Sequence, residues 1–268
     1  MDETTINGVR YQLKQCEVVR LEDEFGHSYL IDGEPVAGVT TLLSMGVPPD
    51  QGLLEYFKRT DKQTQEEILE DAQSRGSNVH HAIEALLLGE KVPSSAFTRK
   101  REKLGVAAFV HFFTTVRMDG ILPEQVVAYI NGEVRFAGTL DLVAVLVLNG
   151  KRIIIDFKTS AVHSRKNELQ VIAYKEAYEQ STGIKIDRCY VLYLGTTHKG
   201  TRPKEDDYGI PSTGMGWFMV QANADFKDFM RAYDTAIFMN NGKYPKPPKV
   251  FEFPEVWKIL ERKRKEEK

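Results

Sequence analysis

Residues 138–158 read Gly138-Thr139-Leu140-Asp141-Leu142-Val143-Ala144-Val145-Leu146-Val147-Leu148-Asn149-Gly150-Lys151-Arg152-Ile153-Ile154-Ile155-Asp156-Phe157-Lys158. Two apolar runs flank Asn149-Gly150, the dipeptide that best suits a two-residue hairpin turn because both central residues need positive φ. With a symmetric turn, Leu148 faces Lys151, Val143 faces Asp156 and Asp141 faces Lys158. Side chains alternate along a strand, so Asp156 and Lys158 share a face. Asp141 joins them there, diagonal to Asp156 at roughly 7–8 Å between backbones. A three-residue loop would slip the pairing by one and turn Asp141 away.

Two carboxylates on an otherwise Ile/Val/Leu surface are expensive unless something positive sits between them. Mg²⁺ suits the place, being a hard ion that takes one or two carboxylates plus water and phosphate. The backbone carbonyl of Phe157 offers a further oxygen, and Lys158 is placed to orient or deprotonate an attacking water. The competing reading of Asp-x-Lys is structural: Asp156 ends a strand and Lys158 pairs with Asp141.

Working outward, Gln125–Ile130, Arg188–Leu194 and Trp217–Gln221 are also β-rich, with helical spacing at Arg165–Ser181 and Phe226–Asn240. Upstream the pattern differs. A small hairpin is expected through Ile31, broken near Phe25-Gly26, then a helix from Gly38 to Pro48-Pro49 and a short helix at Leu53–Arg59. A longer helix is expected at Gln65–Leu88, kinked at Gly76, and a further one at Ser95–Met118. Helices first and then β-β-β-α-β describe an α/β core sheet preceded by a helical arm. The expected division is a hairpin and helical arm over 1–120, a catalytic core over 121–245 and a tail over 246–268, in one continuous domain.

Composition narrows the field. The 268 residues carry 36 Lys+Arg against 38 Asp+Glu, a net charge of −2, which excludes a globally basic nucleic-acid binder. The charge is not evenly spread, however. Residues 1–75 hold fifteen acidic and seven basic side chains, whereas 151–175 hold two acidic and six basic. A local phosphate-binding groove therefore stays open. Cys16 and Cys189 are too few for a cysteine zinc site or an iron–sulfur cluster. The acidic, polar N-terminus is not a signal peptide and no apolar run is long enough to span a membrane, so a soluble cytoplasmic protein is expected. P-loop, GxGxxG, GxSxG and HExxH motifs are absent.

Gly138-Thr139-Leu140-Asp141, then Ile153–Ser160 with Asp156-Phe157-Lys158-Thr159-Ser160, then Gln170-x-x-x-Tyr174, resemble the core of the PD-(D/E)XK nucleases in their RecB-like form. Arg75-Gly76-Ser77-Asn78-Val79-His80 with Glu84 is similar to the upstream histidine motif of that branch. Pro35–Leu43 resembles a segment of phage and mitochondrial genome maintenance exonucleases, departing at Ala37 where relatives carry serine. The resemblance covers about residues 29–195. The resemblance implies a restriction-endonuclease-like fold, with a mixed central sheet flanked by helices and an N-terminal helical arm. It implies that His80, Asp141, Asp156 and the Phe157 carbonyl hold Mg²⁺, Mn²⁺ substituting, and that Lys158 is catalytic. Gln170, Tyr174, Arg75, Thr159 and Ser160 would meet DNA, and Glu84 would orient His80.

Beside those implications, the residues taken alone keep plainer readings. His80 and Glu84 lie on one helical face, so His80 is either a ligand or a satisfied partner of Glu84. Tyr174 either packs or contacts substrate, and Arg75 either grips phosphate or balances local charge. Trp217 and Phe218 read as core. The activity that the resemblance implies is exonucleolytic hydrolysis of DNA from single-stranded ends in repair or recombination. A structure-specific endonuclease and a non-catalytic DNA-binding subunit are the alternatives.

Overall fold

The computed structural model describes residues 8–23, 26–49, 51–195, 205–206 and 209–242. The first strands are short: β1 (Val9–Gln12), β2 (Glu17–Asp23), β3 (Gly26–Ile31) and β4 (Glu34–Val36). They form a four-stranded antiparallel sheet where a two-stranded hairpin was expected. Asp32 and Gly33, both left-handed at φ 50° and 83°, close β3 onto β4 in the turn that Asp-Gly favours. Helices α1 (Val39–Gly46), α2 (Gln51–Arg59), α3 (Lys62–Leu87) and α4 (Lys100–Thr115) follow. Asp61 caps α3 by accepting the Thr64 N–H at 2.9 Å. The helix passes through Gly76 unbroken, beginning earlier than its apolar spacing suggested.

The second half builds the main sheet from β5 (Met118–Asn131), β6 (Val134–Leu146), β7 (Arg152–Lys158), β8 (Arg188–Leu194), β9 (Thr213–Gly214) and β10 (Trp217–Gln221). Its spatial order is β5-β6-β7-β8-β10-β9. All pairs are antiparallel except β7 and β8, which run parallel because α5 (Arg165–Thr182) crosses between them. Ser164 caps the start of α5, and Gly183 at φ 76° ends it. The last described helix is α6 (Phe226–Met239). The expected tail over 246–268 lies outside the described residues. Among the described residues, no helix is long and apolar enough to cross a membrane.

The β6–β7 hairpin corrects the expected register. Leu142 pairs with Ile155 and Val143 with Ile154, two positions away from the symmetric-turn alignment. Four residues form the loop, because Asn149 keeps a negative φ and only Gly150 is left-handed, at 69°. The Gly150 N–H donates to Leu146 O and the Leu146 N–H to Lys151 O, each at 2.8 Å. A shift of two preserves facing parity. Carried one step past Leu142 and Ile155, this register sets Asp141 beside Asp156, not across from Lys158.

Alternating apolar residues bury both sheet faces. Val143, Ile154, Val191 and Phe218 pack with α1, α5 and α6 residues such as Leu42, Val171 and Phe229. Leu142, Ile153, Ile155 and Trp217 pack with Val79 and Ile83 of α3 and Phe109 and Phe112 of α4. The N-terminal sheet covers a third surface, Val18, Tyr29 and Ile31 burying Val126, Ala128 and Ala137 of β5 and β6. Helices α1 and α6 approach so closely that a Cβ on Gly46 would lie 1.8 Å from the Ala232 carbonyl oxygen. Gly46→Ala is therefore expected to destabilise the protein by about 2 kcal/mol or more. Urea denaturation checks this, and an unchanged midpoint refutes the close approach.

Candidate metal centre

The β6–β7 ladder stops at Leu142 and Ile155, and side chains complete what the backbone leaves open. The Phe157 N–H donates to Asp141 Oδ2 at 2.5 Å instead of to a strand carbonyl. Lys158, two residues beyond Asp156 on the same face, sets Nζ 2.6 Å from Asp156 Oδ2. That oxygen is fully buried, and the Lys158 ammonium is its charge partner. From α5, Gln170 Nε2 donates to Asp156 Oδ1 at 3.0 Å and to the Tyr174 hydroxyl at 3.2 Å. Tyr174 lies over Gly138, where a Cβ would stand 2.5 Å from its ring. That glycine is what lets the tyrosine reach the sheet.

His80 arrives from α3, which covers the other face. Its Nδ1 lies 3.2 Å from Asp141 Oδ1 and its Nε2 lies 3.1 Å from the Phe157 carbonyl oxygen. Both ring nitrogens face acceptors, which a doubly protonated ring satisfies. Burial alone would lower the His80 pKa, but the charge and hydrogen bond of Asp141 prevail and raise it. Asp141 moves the opposite way: burial opposes its charge, yet His80 holds its carboxyl below the usual range. The Asp156 carboxyl is pushed up to about 6 by burial, with Lys158 pulling it down and Asp141 adding to the rise. Burial disfavours the Lys158 ammonium, but Asp156 and Asp141 outweigh it and keep Lys158 charged.

The structure adds a residue that the sequence reading passed over. Glu124 lies within β5 with φ 48°, a left-handed conformation in a strand interior. The β5–β6 register pairs Gln125 with Leu140 and Pro123 with Leu142, so Glu124 falls opposite Asp141, where the ladder is interrupted. Ligand atoms of His80, Glu124 and Asp141 all lie within 4.8 Å of one another. Burial, with the charge of Asp141 second, pushes the Glu124 carboxyl up to about 7. Spacing within one strand carries no trace of this, because the place of Glu124 opposite Asp141 depends on the register between β5 and β6.

The remaining expected residues are placed as follows. Glu84 lines the same cavity but makes no bond to His80, whose nitrogens are already taken; the expected His80–Glu84 pairing is not formed. Arg75 donates to Asp71 at 3.0 Å, one turn back on α3. Thr159 Oγ1 faces Gly76 of α3, and exposed Ser160 donates weakly to the Val162 carbonyl at 3.4 Å. Trp217 and Phe218 are core, and Trp217 Nε1 donates to His111. His163 sits between the Tyr193 hydroxyl and Glu168. Cys16 and Cys189 are buried and free, with burial raising their thiols to about 11 and about 12.

The cluster opens into a cavity of about 1240 Å³, walled by β1 and β2 on one side and by α3 on another. That exceeds the ~300–1,000 Å³ of ordinary small-molecule sites. Buried Asp156 and half-buried Glu124, both with raised pKa values, together with Asp141, a histidine and a main-chain carbonyl form a donor set that a hard divalent cation would satisfy.

Two aspartates and a lysine thus come together where the β6–β7 ladder stops, in a mixed sheet flanked by helices. Residues 51–249 match the family model of the PD-(D/E)XK nuclease superfamily, and the chain belongs to that superfamily. Its mixed sheet flanked by helices is consistent with a restriction-endonuclease-like fold, and its members are nucleases that use divalent metals. Among solved structures, the chain is similar to one titled "Crystal structure of SSO0001", at 15% identity over 76% of this chain and 75% of that one. The TM-score is 0.39, and nothing below rests on that likeness. No curated protein matches.

Glu124 yields a pH prediction. Its carboxyl is raised from 4.5 to about 7 in the folded protein, so the unfolded chain gives up this proton first. Stability is thus lost as pH rises across that interval. Glu124→Gln should leave stability unchanged at pH 4 and raise it by about 2 kcal/mol at pH 8 in chelator. Urea denaturation at the two pH values reads the difference.

Proposed function

We propose that this chain is a Mg²⁺-dependent DNA exonuclease, Mn²⁺ substituting, that hydrolyses phosphodiester bonds from single-stranded ends. The carrying observation is the convergence of Asp141, Asp156 and Lys158 beside the Phe157 carbonyl and His80 at one wall of a large cavity. In this reading Asp141, Asp156, His80, the Phe157 carbonyl and Glu124 hold the metal. A bound divalent ion supplies Lewis-acid charge to the phosphate and makes water a competent nucleophile near neutral pH.

The chain's own residues do the rest. Phe157 N–H fixes Asp141 by one oxygen and leaves the other toward His80. Gln170 fixes Asp156 by Oδ1 and leaves Oδ2 toward Lys158. Lys158 Nζ, charged and half-sheltered, holds a water or phosphate oxygen and manages its proton. Neither buried, high-pKa cysteine is placed for a covalent step. Tyr174 and Gln170 line the cavity and would bear on the strand near the scissile bond, with Arg75, Thr159 and Ser160 flanking it. The single-strand and end preference rests on the similarity of Pro35–Leu43 to phage and mitochondrial exonucleases. It suits trimming of DNA ends in repair or recombination inside a bacterial or phage-infected cell.

Lys158→Ala should lose at least about 10²-fold in turnover while retaining DNA binding. Asp141→Asn and Asp156→Asn should lose metal-dependent cleavage and weaken Mg²⁺ binding in calorimetry. Covalently closed single-stranded circles should survive digestion that consumes the linear form; cutting of the circles makes the protein an endonuclease instead. If wild-type protein with Mg²⁺ cleaves neither form, the non-catalytic binding reading replaces both.

A further inference from the structure

A row of charges crosses four strands through the centre. Arg20 of β2 has Nη1 3.8 Å from Glu124 Oε2 of β5, Glu124 clusters with Asp141 of β6, and Asp156 and Lys158 of β7 follow. The row is cationic at both ends and carboxylate in the middle, where the metal would sit. Lys158 is the cation expected at one end. Arg20, at the other, lies outside the residues matched by the family model, on a sheet that the sequence read only as a leading hairpin.

The guanidinium of Arg20 is poorly used by the protein itself. Its side chain is only 17% exposed, and it lines the cavity. Nη2 donates to Glu22 at 2.6 Å, but Glu22 is 67% exposed, and pairs of that kind contribute little. The 3.8 Å to Glu124 is too long for a hydrogen bond. Nε is buried and has no acceptor among the described residues. An unmet buried N–H is costly, so a group placed this way suits an acceptor that arrives from outside. Arginine presents a planar fork that matches two oxygens of one phosphate.

We propose that Arg20 binds a backbone phosphate of the nucleic-acid strand, next along from the phosphate at the metal centre. The N-terminal sheet is then the far wall of the substrate channel. This rests on the nuclease reading and adds to it the direction in which the strand leaves the site: from Lys158, across the carboxylates, toward β2.

The test uses Lys158→Ala protein with Mg²⁺, which should bind without cutting, and a fluorescein-labelled single-stranded oligonucleotide followed by anisotropy across a salt series. Arg20→Ala in that background should weaken binding about tenfold. It should also reduce the log–log salt slope by about 0.7, the loss of one phosphate contact on a single strand. Arg20→Lys should recover the slope but not the full affinity. Glu22→Gln, which frees the guanidinium, should tighten binding when Arg20 is present and not when it is alanine. Arg20→Ala with an unchanged salt slope overturns the proposal even if affinity falls, since a merely structural role would lower affinity without removing an ionic contact. If Lys158→Ala protein binds no oligonucleotide, the nuclease reading falls and this proposal with it. If it binds and the slope ignores Arg20, only the arginine's role is lost.

Discussion

Asp141 and Asp156, side by side on adjacent strands within an apolar sheet, set the condition that the rest of the molecule meets. Two buried carboxylates repel one another and lose their hydration. Each is therefore held by donors from a different direction: a main-chain N–H from β7, an amide from α5, an imidazole from α3 and an ammonium from β7 itself. No single element could supply all of these. The helices on opposite faces of the sheet are needed together because their side chains meet where the β6–β7 ladder stops.

The interruption of pairing extends to β5. Glu124, left-handed opposite Asp141, breaks the ladder on that side too, so a patch of main chain at the middle of the sheet is given over to side-chain chemistry. Backbone strain of this kind typically costs about 1–3 kcal/mol and persists only where the surroundings impose it. Here it brings a further carboxylate toward Asp141 and His80, raising the demand for a cation.

How much of this was legible follows from what alternation can and cannot encode. The convergence of Asp141, Asp156 and Lys158 was expected from parity alone, which a four-residue loop leaves intact because it differs from a two-residue turn by an even number; at Asp141 itself alternation changes phase, Leu140 packing with α5 residues and Leu142 with α3 residues. The partner of Asp141 was misassigned for the same reason. Asn149-Gly150 resembles a turn in which both residues are left-handed, but only Gly150 adopts that conformation. Strands β6, β7, β8 and β10 were visible through long apolar runs; β1 and β4 were not, being short and largely exposed. The helical segment bearing His80 was clear in outline. Its bonds to Asp141 and Phe157 depend on tertiary approach, so Glu84 looked like the natural partner.

The N-terminal sheet touches the main sheet through Val18, Tyr29 and Ile31, which seal Val126, Ala128 and Ala137, and through the buried Tyr29 hydroxyl bonded to Thr139 at 2.9 Å. The region matched by the family begins only at residue 51. A fragment cut at that boundary would retain every motif residue from His80 to Tyr174. It would also expose an apolar strip beside Thr139, two residues before Asp141, and lose α1 from the opposite face. The span matched by the family model and the span packed together around the main sheet thus have different edges, the second beginning some forty residues earlier, at β1.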